Sequence, residues 1–524
     1  MEDLAPKMNT PRVAVIGGGY AGMAAAVELA DAGLAVTVFE AAPELGGRAR
    51  RVLYRDTVLD NGLHIGIGAY RQLLSLIART GGAGAKPAWH RSPLDWRIGS
   101  SLHLRAPRWP APLHLLAALA GARGLSPGSR WDALRLIAGL RVRGYRIAGD
   151  PTVAAWLTRA GQGTQIIEGL WAPLCVAALN TPVDTASAQV FANVLRDSLG
   201  ATREASDLLL PATDLTSLFP APAAAHVQAR GGRVLCGQRV TRIVPAAGHW
   251  SVECGRAHAA AGTNATAEVH ATAEVHATAE AHAVAGERAV AEAHAVAEAH
   301  AVAEAHAVAG ERSVAGEPAV AEERAVAEER AVAEAHATAE NRFDAVVLAV
   351  APRALADLTS EWPALQAVHR CVSGYTYEPI TSIYLQYPDT VALPHSMLGF
   401  EQGPGQWMFD RGALTGQHGL LGVVISASAA QRGSDHEALA AAVHAQLQQL
   451  LPALPPALWH KVITEKLATF ACTPGLARPP TATGAPGVFL AGDHVASDYP
   501  ATLEGAVRSG QLAASAVTGY LRGR

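Results

Sequence analysis

Between Arg12 and Glu40 the chain alternates apolar runs of two lengths. VAVI and AVTVF are short and nearly uninterrupted, the pattern of strands buried on both faces of a parallel sheet. Between them AGMAAAVELADAG has helical composition and stops at Gly33, a natural C-cap. This text predicts strand, Gly-rich turn, helix, strand. From about Trp89 to Phe219 the pattern predicts mainly helix, broken at Pro107, Pro110 and Pro127. Beyond Gly231, the segments RVLCGQRVTRIV, HWSVECG and RFDAVVLAVAP predict three strands. A mixed region follows. From Gly487, GVFLAGDHVASDYPATLEGAVRSGQLAASAV predicts a closing strand, turn and helix.

Residues 257–340 break every such pattern. They are near-repeats of six, such as AVAEAH, AVAEER and AVAGER. On a helix a six-residue period turns each residue type by roughly 240° per repeat, so no apolar stripe forms to dock it. In an extended chain the even period puts Ala on one face and Val, Glu and His on the other. The histidines are interleaved with Glu and Ala and lack a closed-site pattern, so no metal is expected. The segment reads as an expanded, solvent-exposed insertion in a hairpin between HWSVECG and RFDAVVLAV, without a catalytic role.

Four motifs carry chemistry. Gly17-Gly18-Gly19-Tyr20-Ala21-Gly22 follows a strand and opens a helix. Gly17 permits the tight turn, Gly19 lets the backbone approach a pyrophosphate, and Gly22 lets the helix pack on the sheet. Ala21 lies in the first turn, whose unpaired N–H groups face the phosphates. Glu40 ends the second strand, placed to accept hydrogen bonds from an adenosine ribose. Leu45-Gly46-Gly47-Arg48 offers a second close backbone approach, with Arg48 expected to pair with a diphosphate. A nicotinamide enzyme does not need this element, so the fingerprint points to FAD.

The third motif is LDNGLHIGIGAY, residues 59–70, in which Gly62, Gly66 and Gly68 let the chain run close against a flat ring. His64 either faces flavin or substrate or is a satisfied structural histidine. Fourth is AGDHVASDYPATLEGAVRSG, residues 491–510. Gly492 and Asp493 end a strand, with Asp493 expected on a ribityl hydroxyl. Thr502, Leu503 and Glu504 open a helix whose positive end would stabilise negative charge on reduced flavin. The fold class that follows is α/β, a discontinuous Rossmann-like FAD-binding domain with an inserted α+β substrate domain. Its expected boundaries are 11–88, 225–256, 341–352 and 465–524 for FAD, 89–224 and 353–464 for substrate, and 257–340 for the insertion.

With these motifs the chain resembles the flavin amine oxidase and phytoene desaturase superfamily. NGLHIGIGAY and YPATLEGAVRSGQ are similar to its plant-type carotene desaturase branch. GLWAPLCVAALNTPVDTASA and LLLPATDLTSLFP narrow the resemblance to the squalene-associated hydroxysqualene dehydroxylases of hopanoid biosynthesis. The resemblance covers nearly the whole chain except the six-residue repeats. It implies that the backbone around Val240 contacts the adenine, and that hydroxysqualene loses its hydroxyl to give squalene. An apolar isoprenoid substrate and an unidentified electron donor are then the expected partners. The leaving hydroxyl needs an acid. His64, Asp498 and Tyr499 are candidates by their position in flavin-adjacent motifs, although Asp498 and Tyr499 also suit turn formation and packing. A carotenoid-type desaturase, with hydride moving the other way, is the first alternative. Amine oxidation and a flavin-free prenyl-protein chaperone follow it.

Composition narrows the partners. The net charge is −4, which gives no global sign of nucleic acid binding. Five scattered cysteines without a CxxC pair support neither a disulfide framework nor a zinc site. None lies between Gly487 and Arg524, so the FAD is expected to be noncovalent. The first ten residues lack the apolar core of a signal peptide, which makes the cytoplasm the expected location. Between Leu102 and Ala148 eight arginines face one acid, Asp132, among runs such as LHLLAALAG. A basic amphipathic stretch of this kind suits either a solvated helix face or peripheral contact with an anionic membrane at its inner surface.

The repeat analysis makes a direct prediction. Deleting residues 257–340 and closing the hairpin with a short Gly-containing turn should leave flavin content and activity largely intact. Loss of folded protein or of bound flavin would show that the segment packs on the body.

Overall fold

Two apolar strands, β1 (Arg12–Ile16) and β2 (Ala35–Phe39), pair in parallel, joined by the helix α1 (Tyr20–Asp31). In the computed structural model, residues 10–81, 88–199, 202–246, 248–256, 341–431 and 433–524 are described. The expectations for 257–340 therefore lie outside the described residues. Three more parallel strands complete the sheet around β1 and β2, in the order Arg233–Leu235, β2, β1, Ala345–Leu348, Val488–Leu490. Each strand is nearly all apolar because both faces are covered, one by helices and the other by a core that includes Ile243, Trp250, Val252 and Phe343. On one face α1 packs against the C-terminal helix Leu503–Arg522. The approach is close: a Cβ on Gly510 would stand 2.2 Å from the Ala21 carbonyl oxygen. Helix Arg71–Thr80 adds Leu73 and Leu76 to the same core.

The strands Gln238–Ala246, His249–Arg256 and Arg342–Phe343 make a separate three-stranded sheet. Trp250 lies opposite Phe343 in antiparallel register, so the strands on either side of the repeats are partners.

The second body is a seven-stranded sheet that neither inserted piece could make alone. Trp459–Phe470, Tyr377–Gln386, Leu420–Ile425, Trp407–Asp410 and Met397–Gly399 come from the later piece. Asp95–Ile98 and Leu102–Arg105 come from the earlier one and join it through Gly399 opposite Ile98. The region 89–219 is therefore less helical than its pattern predicts. Its strands are four residues long and include Arg, His and Asp, too short for periodicity to declare. Two expected boundaries also move. The strand Trp459–Phe470 runs past residue 464, and Leu215, Leu218 and Phe219 are buried with α1, ahead of residue 225.

A buried ion pair fastens the two bodies. Asp60 and Arg411 are 2% and 3% exposed, with Arg411 Nη1 3.3 Å from Asp60 Oδ2. The Leu215 amide donates to Asp60 Oδ1 at 2.8 Å, and the Tyr384 hydroxyl donates to the Asp60 carbonyl at 3.0 Å. Burial pushes the Asp60 carboxyl up to about 6, against the opposing pull of Arg411. Arg411→Leu strands that carboxylate and should cost about 3–5 kcal/mol at neutral pH. An acid with a raised folded-state pKa binds protons more tightly when folded. The variant should therefore be least impaired in acid and lose stability as pH rises through that pKa. Urea midpoints at two pH values measure this, and an equal loss at both would contradict it.

Candidate active site

The glycine turns clip together before any ligand is considered. Gly17 has φ +112°, where a Cβ would lie 2.6 Å from the Ala349 carbonyl oxygen, and a Cβ on Gly22 would lie 1.9 Å from that of Gly17. Both are packing requirements, and Gly22 does not reach the cavity wall. Gly19 is the N-cap of α1 and bridges to Gly46, whose amide donates to the Gly18 carbonyl at 2.9 Å. The α1 N-terminus has no side-chain cap, and Gly17, Gly19, Tyr20 and Ala21 open onto a cavity of about 960 Å³. That is an anion cradle.

Glu40 stands at the rim, its two carboxylate oxygens accepting from the amides of Gly18 (2.7 Å) and Ala42 (2.8 Å). Gly47, Gly62 and Val240 line the same cavity. Arg48 also lines the cavity. Its Nη2 donates to both oxygens of Asp493 at 2.6 Å, and Nη1 to the Ala468 carbonyl at 2.6 Å. The guanidinium thus ties the first glycine turns to the C-terminal motif at the cavity wall. Burial raises the Asp493 carboxyl, but Arg48 and His494 outweigh it and hold the group well below the usual carboxylate range.

Gly492, Asp493, Thr502 and Leu503 bring the C-terminal motif to the cavity from the opposite end of the chain. Thr502 caps the last helix by accepting from the Gly505 amide at 3.0 Å. Glu504 turns away. Fully buried, it accepts from the amides of Gln72 (3.2 Å) and Leu73 (3.0 Å) and pairs with Arg508 at 2.7 Å. Its task is to cap helix Arg71–Thr80.

The candidate acids separate. Asp498 is 68% exposed, its nearest cation Arg196 at 3.7 Å, and it does not line the cavity. His64 does line it, with Nδ1 2.8 Å from the Gly62 carbonyl. Since a carbonyl only accepts, Nδ1 carries the hydrogen and Nε2 is an acceptor. Burial lowers the His64 pKa, so the ring is neutral and has no proton to donate into the cavity. Tyr499 faces the cavity, donating its hydroxyl to Asp197 at 2.5 Å while Arg508 lies 4.6 Å from its ring centroid. Burial raises its pKa. Arg196, 2.7 Å from Asp197, offsets the burial of that carboxyl and keeps it ionised.

Three residues that shape this site were not among the expected site residues. Asp197 sits in ordinary helical text, Ala188–Leu199, and only the fold brings it to Tyr499. Arg478 donates to the carbonyls of Asp493, His494, Ser497 and Tyr499, and so sets the shape of the loop between Asp493 and Tyr499. His494 lines the cavity, is 1% exposed, and its Nε2 has no hydrogen-bond partner among the described residues. Its place beside Gly492-Asp493 was the available signal. An orphaned buried nitrogen and a glycine cradle both fit a dinucleotide with a polar ring system.

From this cradle the same cavity continues between the two bodies into an apolar wall that includes Trp96, Leu119, Leu170, Trp171, Trp407 and Phe409. The flavin containing amine oxidoreductase family matches residues 20–269 and 324–518, most of the chain on both sides of the repeats. The chain belongs to that family. It is an FAD-dependent oxidoreductase. It is 27% identical over 515 residues to a hydroxysqualene dehydroxylase of Rhodopseudomonas palustris, covering 96% of this chain and 98% of that protein. A probable zeta-carotene desaturase of Synechococcus elongatus is 28% identical over 254 residues, 44% of this chain and 51% of that one. The fold matches that of an oxidoreductase from Methanosarcina mazei with a TM-score of 0.61 at 15% identity, over 96% of this chain and 100% of that one.

The cradle described above fits the FAD of this family, and Glu40 tests that placement. Glu40→Arg replaces the ribose acceptor with a bulky cation and removes the anchor of the Gly18 and Ala42 amides. Flavin absorbance per folded protein should fall at least about tenfold in affinity terms. Unchanged flavin occupancy would count against this placement.

Proposed function

We propose that the enzyme reductively removes the hydroxyl of hydroxysqualene to give squalene. The observation that carries this reading is the continuity of one cavity, from the cradle of Gly17, Gly47 and Gly492 to a wall of Leu, Trp and Phe. A long hydrocarbon with a single polar group fits such a gradient, polar at the flavin end and apolar beyond it. The match to hydroxysqualene dehydroxylase along 96% of the chain supports this substrate over the zeta-carotene desaturase match, which covers 44%.

The balance is simple: hydroxysqualene, a hydride and a proton give squalene and water. FAD held in the cradle would supply the hydride when reduced, its reduction requiring an external donor. The chain must supply the proton for the leaving oxygen and exclude bulk water. Asp197 is held ionised and His64 neutral, so neither is a proton source at neutral pH. Tyr499, whose single O–H is donated to Asp197, is assigned as the group that turns that O–H onto the leaving hydroxyl and gives it the proton, which solvent then replaces. His64 Nε2 then serves as an acceptor that orients the substrate or product water.

Anaerobic incubation of the chemically reduced enzyme with hydroxysqualene should yield squalene and one oxidised flavin per product. Formation of a new double bond in phytoene by the oxidised enzyme, without squalene from hydroxysqualene, would favour desaturation instead. Tyr499→Phe should lower kcat by about 10²–10⁴-fold with flavin content unchanged. A variant within twofold of the parent would remove Tyr499 from the reaction.

A further inference from the structure

Large apolar side chains are not spread evenly over this surface. Among the described residues nine are exposed, and five of them fall within one short segment: Trp109, Leu113, Leu116, Trp131 and Val142. Random scatter needs no explanation, but a concentration of this kind marks a contact surface. The segment folds as two packed helices, Leu113–Ala120 and Pro127–Val142. On the first, Leu113 and Leu116 are one turn apart. On the second, Trp131, Arg135, Ala138 and Val142 recur at helical spacing along one exposed face. Trp131 is 66% and Val142 88% exposed, a solvation cost with no return inside the protein itself.

The charge around them is one-sided. Arg105, Arg108, Arg123, Arg135, Arg141, Arg143 and Arg146 are exposed here. The single acid of the stretch, Asp132, is taken up by Arg135 at 3.3 Å. The whole chain carries −4, so this is a local cationic surface on an anionic protein. Exposed Trp and Leu with Arg at their margins is the arrangement that seats in an anionic bilayer, apolar tips among the acyl chains and guanidinium groups at the headgroups. No helix among the described residues is long and apolar enough to cross a membrane, so such contact is peripheral.

The cavity also reaches the surface at this patch. Leu116, Ala138 and Arg141 are exposed to solvent and line the cavity at the same time. The two helices thus give one set of residues to the outer surface and another, including Leu115, Leu119 and Ile137, to the inner wall. An opening bordered by exposed Leu116, with exposed Trp109 and Trp131 in the same segment, is unfavourable for a route through water and suited to a route from lipid.

We propose that these two helices form a portal seated on an anionic lipid bilayer, through which the apolar substrate passes directly from the membrane into the cavity. The passage of substrate rests on the reading of function above, whereas the seating on lipid does not. Flavin-loaded protein should sediment with vesicles of phosphatidylcholine containing phosphatidylglycerol, and not with phosphatidylcholine alone. About 1 M salt, where the Debye length is about 3 Å, should weaken that sedimentation. Trp109→Ser with Trp131→Ser, and separately Arg135→Glu with Arg143→Glu, should each lower partitioning about tenfold or more with flavin absorbance unchanged. Brominated acyl chains should quench the tryptophan emission of the parent more than that of the Trp109→Ser, Trp131→Ser protein. Equal sedimentation with neutral and anionic vesicles, no sedimentation with either, or parent-like binding by both variants would overturn the seating. Ile137→Trp, on the inner wall, should narrow the passage and lower kcat/KM for hydroxysqualene at least about fivefold with vesicle binding and flavin absorbance intact. Undiminished turnover by Ile137→Trp would overturn the portal. If the parent fails to turn over detergent-dispersed hydroxysqualene, the substrate reading falls while the vesicle result stands by itself.

Discussion

The site depends on one ion pair that closes the chain on itself. Arg48 and Asp493 are 445 positions apart, yet the guanidinium holds both carboxylate oxygens at 2.6 Å. Arg48 follows the second glycine turn, and Asp493 follows the last strand of the parallel sheet. The pair therefore locks the first and last pieces of a discontinuous domain in one relative position. Asp493 is 8% exposed, so losing its partner would leave a nearly dry charge, a change that costs several kcal/mol elsewhere in proteins. The third donor position, on the Ala468 carbonyl, brings the end of the strand Trp459–Phe470 to the same point. Cradle, sheet and substrate wall meet at one guanidinium.

Around that anchor, polarity falls off in a defined direction. Glycine backbones, the uncapped N-terminus of α1 and the Thr502-capped N-terminus of the last helix form the polar end of the cavity. His64, His494 and Tyr499 stand at the junction, each constrained by a specific neighbour. Beyond them the wall is apolar. Neutral His64 and ionised Asp197 are opposite outcomes of burial. The first has no compensating charge, whereas Arg196 stands beside the second. A tyrosine hydroxyl held on Asp197 and an imidazole acceptor therefore face the same volume without neutralising each other.

The two bodies are coupled through polar contacts as well as apolar ones. Tyr384 and Arg411, from the seven-stranded sheet, both terminate on Asp60 of the N-terminal piece. Asn61, the next residue, donates to the Arg48 carbonyl and to Glu465 at 3.0 Å each. The segment LDNGLH thus works as a hinge-pin between the bodies, and that is why its polar residues are buried.

The amino-acid sequence by itself determined the strand–turn–helix at each end, the glycine cradle and Glu40 at its rim. These follow from rules that act within a few residues: apolar periodicity, positive φ, and helix-end amides. It also made the six-residue repeats recognisable as text without a docking face. Tertiary structure alone decided the partners. Nothing local tells Arg48 to pair with Asp493, or Glu504 to cap a helix that begins at Arg71. The same holds for Asp197, which reaches Tyr499 only when the helix Ala188–Leu199 is laid beside the flavin loop. Short strands such as Asp95–Ile98 pair locally only with Leu102–Arg105, and the other five strands of their sheet lie in the later piece of the chain, so no window could reveal the sheet they join. A hydrogen bond needs two groups within about 3 Å, and that distance is a property of the folded chain.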